Sequence, residues 1–120
     1  MNLKLEAWKA ISKFVRQRDS KCVTCGRVDN WKNLDCGHYI PNTERSKGLG
    51  GNELWYDLRN LNAQCGGCNR WGHGNLTKYA DYLENKYGYG ILQELRRLYK
   101  IRKVWTKKEL EALIQKYKVV

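Results

Sequence analysis

The sequence predicts a small α+β protein, in which helices at both ends enclose a short strand pair and a helix fastened by cysteines. Apolar residues recur at helical spacing in both terminal parts, whereas the middle contains short apolar runs typical of strands. Two Cys-x-x-Cys pairs flank the first of these runs. A chain of 120 residues suits one modest core, so we expect a single domain over residues 1–120.

The charge of the chain indicates its class of partner. There are 23 Lys and Arg against 12 Asp and Glu, which gives a formal net charge of +11. Such an excess predicts attraction to a polyanion, with nucleic acid as the first candidate and an acidic membrane as the second. No apolar run is long enough to cross a bilayer, and no secretion signal is recognisable. We therefore expect a cytoplasmic protein with no membrane partner.

Residues 1–20 are predicted to form the N-terminal helix. Leu5, Trp8, Ile11 and Val15 make an apolar stripe opposite a basic face. This stripe should pack on the rest of the domain.

Four of the five cysteines form the pairs Cys22-x-x-Cys25 and Cys65-x-x-Cys68. Each such turn directs two thiolates at one tetrahedral centre, and four thiolates are a ligand set for zinc. A disulfide framework is disfavoured because the number is odd and cytoplasmic disulfides are rare. A closed four-cysteine site has no open position, so this zinc should be structural.

Residues 21–75 should hold the strand pair and the cysteine-bearing helix. Residues 34–40 read as the first strand, which Pro41 ends before a glycine-rich loop that we expect to be mobile. Residues 54–61, LWYDLRNL, read as the second strand. Residues 62–70 should then turn into the helix that carries the second cysteine pair.

The C-terminal part, residues 76–120, should be helical. Two segments with apolar residues at helical spacing begin near Leu76 and Ile91. Thr106 and Glu109 have the spacing of a capping box and should open the last helix. The apolar stripe of these helices could support a homodimer, although packing within the chain explains the same stripe and is slightly favoured.

The order of polar residues resembles an HNH, or ββα-metal, nuclease centre: His38 on the first strand, Asn60 at the end of the second and Asn69 on the helix. Phosphodiester hydrolysis needs an activated water and a cation on the scissile phosphate. We expect neutral His38 to deprotonate the water and Asn60 to orient the strand or loop that carries it. Asn69 can offer its amide oxygen to Mg²⁺ or Mn²⁺.

A closer resemblance covers residues 21–118. The runs CVTCGRVDNWKNLDCGHYIP, DLRNLNAQCGGCNRWGHGN and YADYLENKYG resemble the NinG/Rap family of phage recombination proteins. The resemblance implies a structure-specific DNA endonuclease that acts on branched recombination intermediates, such as Holliday junctions and D-loops, in the host cytoplasm. It also implies zinc on the four cysteines and Mg²⁺ at the catalytic site. By position, His38 matches the family's GH(Y/F) histidine, and Asn60, Gln64 and Asn69 match its helix entry.

Further candidate contacts surround this centre. We expect the DNA phosphates to be contacted by flanking polar and basic residues: Arg45, Lys47, Arg59, Gln64, Arg70 and Lys78. Each of these could instead simply solvate the surface. His73 is a candidate Mg²⁺ ligand or a solvated loop histidine, and Trp71 could stack on an unpaired base or belong to the core.

Two rival functions stay open. A non-catalytic zinc module that binds DNA or serves as a recombination accessory is favoured by Gly37, which stands where many HNH sites carry an acidic metal ligand. A zinc protein associated with RNA or the ribosome is suggested by charge alone. Asp35 is a possible metal carboxylate, but in a regular strand it would point opposite to His38, which counts against that role.

Overall fold

The computed structural model describes residues 2–41 and 51–118 and has the α+β arrangement that the sequence predicts. Its helices and strands are α1 (Leu3–Asp19), β1 (Asp35–His38), β2 (Leu61–Gln64), α2 (Leu76–Tyr87), α3 (Ile91–Lys100) and α4 (Lys107–Tyr117). Short 3₁₀ helices, Trp31–Asn33 and Leu58–Asn60, precede the two strands, and a π-helical turn, Gly67–Trp71, follows β2. Among these described segments, no helix is long and apolar enough to cross a membrane.

The first helix, α1, packs against both strands and the last helix, α4. The side chain of Asn2 caps it by accepting a hydrogen bond from the Leu5 backbone N–H at 3.1 Å. Its buried row is Ala7, Ile11 and Val15, at intervals of one turn. The prediction that Leu5 belongs to this row is wrong, because Ala7 continues it and Leu5 is 46% exposed.

The strands β1 and β2 form one antiparallel sheet. The paired residues are Asp35 with Gln64, Cys36 with Ala63, Gly37 with Asn62 and His38 with Leu61. Because side chains alternate along a strand, Cys36 and His38 share the face that packs on α1, and Asp35 lies on the other. The expected opposition of Asp35 and His38 is therefore present.

The strand boundaries differ from the prediction. The first strand is shorter than residues 34–40, and the second is Leu61–Gln64 rather than residues 54–61. The helix expected over residues 62–70 is reduced to the π-helical turn Gly67–Trp71, so the second cysteine pair begins directly after β2. The general order of strand, long connection and strand is retained.

Local side-chain bonds explain the misplaced second strand. The side-chain oxygens of Asn52 and Asp57 each accept the backbone N–H two residues onward, at 2.9 Å in both cases. Such bonds favour turns over a strand ladder. Leu54 and Tyr56, which belong to the run predicted to be the second strand, are instead buried in two different hydrophobic clusters.

The C-terminal helices form where the sequence predicts them. Thr106 and Glu109 complete the capping box of α4, with reciprocal backbone bonds of 3.2 and 3.1 Å. Ile91 and Leu95 of α3 pack against α2, while Leu110 of α4 packs against α1. Packing within the chain thus accounts for these apolar positions, and the homodimer stays an untested prediction.

Candidate functional site

Four cysteine sulfurs meet at one point of the structure. The Sγ atoms of Cys22, Cys25, Cys65 and Cys68 all lie within 4.8 Å of one another, and those of Cys25 and Cys65 are 3.7 Å apart. Tetrahedral zinc with Zn–S bonds of about 2.3 Å requires sulfur separations of about 3.8 Å. The cluster therefore has the ligands and the spacing to hold a metal such as zinc.

Local backbone features bring these thiols together. Gly26 takes a φ of 81° and donates its N–H to the Cys22 carbonyl at 2.8 Å, which closes the first turn. The backbone N–H of Cys68 points at the Cys65 sulfur from 3.4 Å. Asn75 adds a side-chain N–H toward the Cys68 sulfur, also at 3.4 Å. Donors of this kind orient and stabilise thiolate ligands.

The electrostatics of the cluster favour a bound cation. At Cys25 the Arg27 backbone promotes the thiolate, but desolvation and the neighbouring cysteines outweigh it and raise the pKa to about 12. At Cys22 burial opposes ionisation, yet the Thr24 hydroxyl and backbone hydrogen bonds lower the pKa to about 6. Cys22 is thus inclined to ionise and Cys25 is not, and a divalent metal ion bound between them would favour the thiolate form of both.

His38 stands at the end of β1, on the face toward α1. Its ring stacks on Trp8, with centroids 5.0 Å apart and an angle of 13° between the planes. Burial lowers the pKa of His38 to about 4, so the imidazole is neutral at pH 7. A neutral imidazole can accept a proton. The role of Trp8 could not be seen in the sequence, because a helix stripe does not reveal which strand residue it meets.

Asn60 holds the chain immediately after His38. Its Oδ1 accepts the Ile40 backbone N–H and its Nδ2 donates to the Ile40 carbonyl, both at 2.8 Å. Its own carbonyl accepts the Tyr39 N–H at 3.1 Å. Asn60 is buried, so this pair of hydrogen bonds is shielded from water. Asn60 therefore has the contacts expected of a residue that holds the end of β1 in place.

Tyr79 was missed as a site residue because it reads as an ordinary apolar position of a helix. Its hydroxyl donates to the Gly37 carbonyl at 2.7 Å and accepts from the Asn62 side chain at 3.1 Å. The side chain is fully buried. It therefore ties α2 to β1 beside His38. The available signal was that a buried phenol needs a polar partner.

Asn69 is oriented by a carboxylate on β1. Its Nδ2 donates to Asp35 Oδ2 at 3.1 Å, and Arg70 Nε donates to the same oxygen at 3.0 Å. Asn69 and His38 line a common depression of about 200 Å³, together with His73. The structure therefore brings together three of the residues that the sequence singled out.

Gln64 lies in the interior rather than on the DNA-facing surface that the sequence suggested. Its side chain is fully buried, and Nε2 donates to the Gly74 carbonyl at 2.8 Å and to Thr24 Oγ1 at 3.2 Å. A direct phosphate contact is not available to it in this conformation. The reason is that its amide group is held between Thr24 and Gly74 in the interior.

The other predicted DNA contacts have different surroundings. Arg59 forms a two-pronged ion pair with Asp57, with a shortest distance of 2.7 Å. Arg70 and Lys78 are exposed. Arg45 and Lys47 lie outside the described residues, as does the loop expected to be mobile.

Two exposed residues follow Asn69 along the chain. Trp71 is 83% exposed at the end of the π-helical turn, so the alternative that it belongs to the core is wrong. His73 is exposed with a φ of 53°, at the rim of the depression. Both side chains are accessible to a ligand.

The fold and the cysteine cluster define a small α+β protein with four cysteines placed so that they could hold a metal such as zinc. The chain belongs to the NinG family, because the model described as Bacteriophage Lambda NinG protein matches residues 2–120. Protein ninG of Escherichia phage 933W is 32% identical over 114 residues, which cover 93% of this chain and 53% of that protein. Protein ninG of Salmonella phage P22 is 31% identical over 114 residues, covering 93% and 52%.

The chain spans about half the length of these curated relatives. No solved structure matches it. The match to the family model confirms the family resemblance that the sequence indicates.

Replacing one cluster cysteine should release the metal. We expect Cys65→Ser to weaken zinc binding more than about 100-fold, since it removes a direct ligand, whereas loss of a supporting hydrogen bond costs about 10- to 100-fold. Zinc content by elemental analysis and denaturant unfolding with and without chelator would measure this. Cys36→Ser is the matched control, because it removes the thiol that lies outside the cluster. Equal zinc content in both variants would contradict the assignment.

Proposed function

We propose that the chain is an HNH-type, Mg²⁺- or Mn²⁺-dependent endonuclease that cleaves branched DNA intermediates, such as Holliday junctions and D-loops, in phage recombination. The observation that carries the proposal is the neutral His38 beside Asn69 in one depression, next to a four-cysteine site. Membership of the NinG family supports the phage context. The preference for branches is part of the proposal and derives from the family resemblance.

In the proposed reaction, His38 takes a proton from the attacking water. Burial keeps the ring unprotonated at neutral pH, and a general base must begin in this form. Trp8 fixes the plane of the ring by stacking, and Asn60 fixes the backbone that follows it. These contacts reduce the freedom of the base before the substrate binds.

A hard divalent cation supplies charge stabilisation on the scissile phosphate and its leaving oxygen. Asn69 would hold it through its amide oxygen, since its Nδ2 is already bonded to Asp35. His73 is a further candidate ligand at the rim of the same depression. The four-cysteine zinc has no open coordination position and would serve the fold.

DNA binding would use the basic surface around this depression. The net charge of +11 provides general attraction to the backbone. Arg59, Arg70 and Lys78 are the proposed phosphate contacts in the described part of the chain, with Arg45 and Lys47 as further predicted ones. The exposed Trp71 offers an indole face to a base that has lost its stacking partner at a branch.

Removing the proposed base should separate binding from cutting. We expect His38→Ala to bind a labelled four-way junction as the parent does, while Mg²⁺-dependent cleavage falls about 100-fold or more, since general base catalysis contributes about 10²–10⁴. A gel cleavage assay and a mobility-shift assay on one preparation would measure both.

Leu5→Ala is a suitable control for this experiment, because Leu5 is exposed on α1 and should cut at the parental rate. The mechanism is wrong if His38→Ala cuts as fast as the parent. A parent protein that binds the junction but never cuts it in Mg²⁺ or Mn²⁺ would instead favour the non-catalytic accessory role.

The exposed indole of Trp71 should contribute to the binding of branched DNA and not to the binding of intact duplex. We expect Trp71→Ala to weaken junction binding about 5- to 150-fold, which corresponds to the loss of about 1–3 kcal/mol of base stacking. Binding of the corresponding linear duplex should change by less than about twofold. Tyr89→Ala is the matched control, because Tyr89 is an aromatic residue that is 91% exposed outside the depression. Equal effects of Trp71→Ala on both DNA forms would contradict this role.

A further inference from the structure

We propose that Gln64 supplies, through its Oε1 atom, the second protein oxygen ligand for the divalent cation beside Asn69, in the space that Gly37 leaves open. The inference rests on the proposed function, because it identifies ligands for the cation of that site. Gln64 would then be a metal ligand and not the phosphate contact that the sequence predicts.

The first observation is an unused oxygen. Gln64 has no exposed surface, and its Oε1 is a buried atom without a hydrogen-bond partner in the described part of the chain. The amide cannot simply be turned around, because Nε2 already donates to the Gly74 carbonyl and to Thr24. Buried polar atoms normally have partners, so this oxygen has an unused capacity to bind a cation.

The second observation is that two amide oxygens converge. A Cβ atom on Gly37 would overlap Oε1 of Gln64 and would come within 3.1 Å of Oδ1 of Asn69. The two oxygens thus approach one small region, one from β2 and the other from the π-helical turn. The N–H groups of both amides are bonded elsewhere, to Gly74 and to Asp35, so each amide presents oxygen here.

This arrangement accounts for the glycine at position 37, where many HNH sites carry an acidic metal ligand. An acidic residue directly before His38 would project from β1 into the region that Gln64 Oε1 enters from the neighbouring strand. Mg²⁺ and Mn²⁺ accept oxygen ligands, including amide oxygens, and retain several waters. Two neutral oxygens give a weak site, which a DNA phosphate would complete. A glycine at position 37 is then required by the ligand and is not a sign of lost activity.

The test measures binding of Mn²⁺ alone to the full, zinc-loaded chain, through loss of the electron paramagnetic resonance signal of the free ion. We expect Gln64→Ala to weaken Mn²⁺ binding about 10-fold or more. The double variant Gly37→Asp with Gln64→Ala should restore binding to at least the parental level, since the carboxylate occupies the vacated space. Asn52→Ala, which removes a buried amide elsewhere, should leave Mn²⁺ binding within about twofold of the parent.

Folding is checked by zinc content and by denaturant midpoint in every variant. Gln64→Met, which keeps the length and removes the amide, has the same expected result if Gln64→Ala does not fold. The inference is overturned if folded Gln64→Ala or Gln64→Met binds Mn²⁺ like the parent, or if the double variant does not recover. Junction cutting with normal Mn²⁺ binding by Gln64→Met would refute this ligand alone. If the parent binds Mn²⁺ but never cuts, and Gln64→Met loses Mn²⁺ binding, the nuclease alone would be refuted.

Discussion

The meeting of two distant cysteine pairs is the constraint on which the rest of this small fold depends. Cys22 and Cys25 precede β1, whereas Cys65 and Cys68 follow β2, so a metal on the four thiols closes the whole hairpin. A sheet of two four-residue strands is marginal by itself. Metal binding to a preformed cluster contributes directly to folding free energy. A metal there would hold β1, which ends at His38, against β2.

A second consequence is that the hairpin can carry polar side chains inside a small core. All four residues of β2 are buried, and Asn62 and Gln64 are among them. Burying amides is costly unless their groups are paired, and Tyr79, Gly74 and Arg18 provide most of the partners. Such a network rigidifies its members when it is satisfied. Its one unpaired atom therefore lies where a cation would contribute the missing bond.

Much of this could be predicted from the sequence because the signals are local. The cysteine turns and the capping box follow from short spacings, whereas the order of His38, Asn60 and Asn69 was noticed through its resemblance to HNH centres. The second strand was misplaced because the side chains of Asn52 and Asp57 stabilise turns in the backbone. A short apolar run does not reveal such bonds. Trp8 and Tyr79 could not be assigned, since their partners come from distant segments. Gln64 was given the wrong surroundings for the same reason.

We propose two different metal ions, a structural zinc on the four cysteines and a hard cation held near His38 by Gln64 and Asn69. Anomalous diffraction from crystals grown with Zn²⁺ and soaked in Mn²⁺, recorded at both absorption edges, tests this claim most directly. We expect a zinc peak among the four cysteine sulfurs and a manganese peak bound by the amide oxygens of Gln64 and Asn69. Manganese found only elsewhere, or an absence of zinc at the cysteines, would contradict the claim.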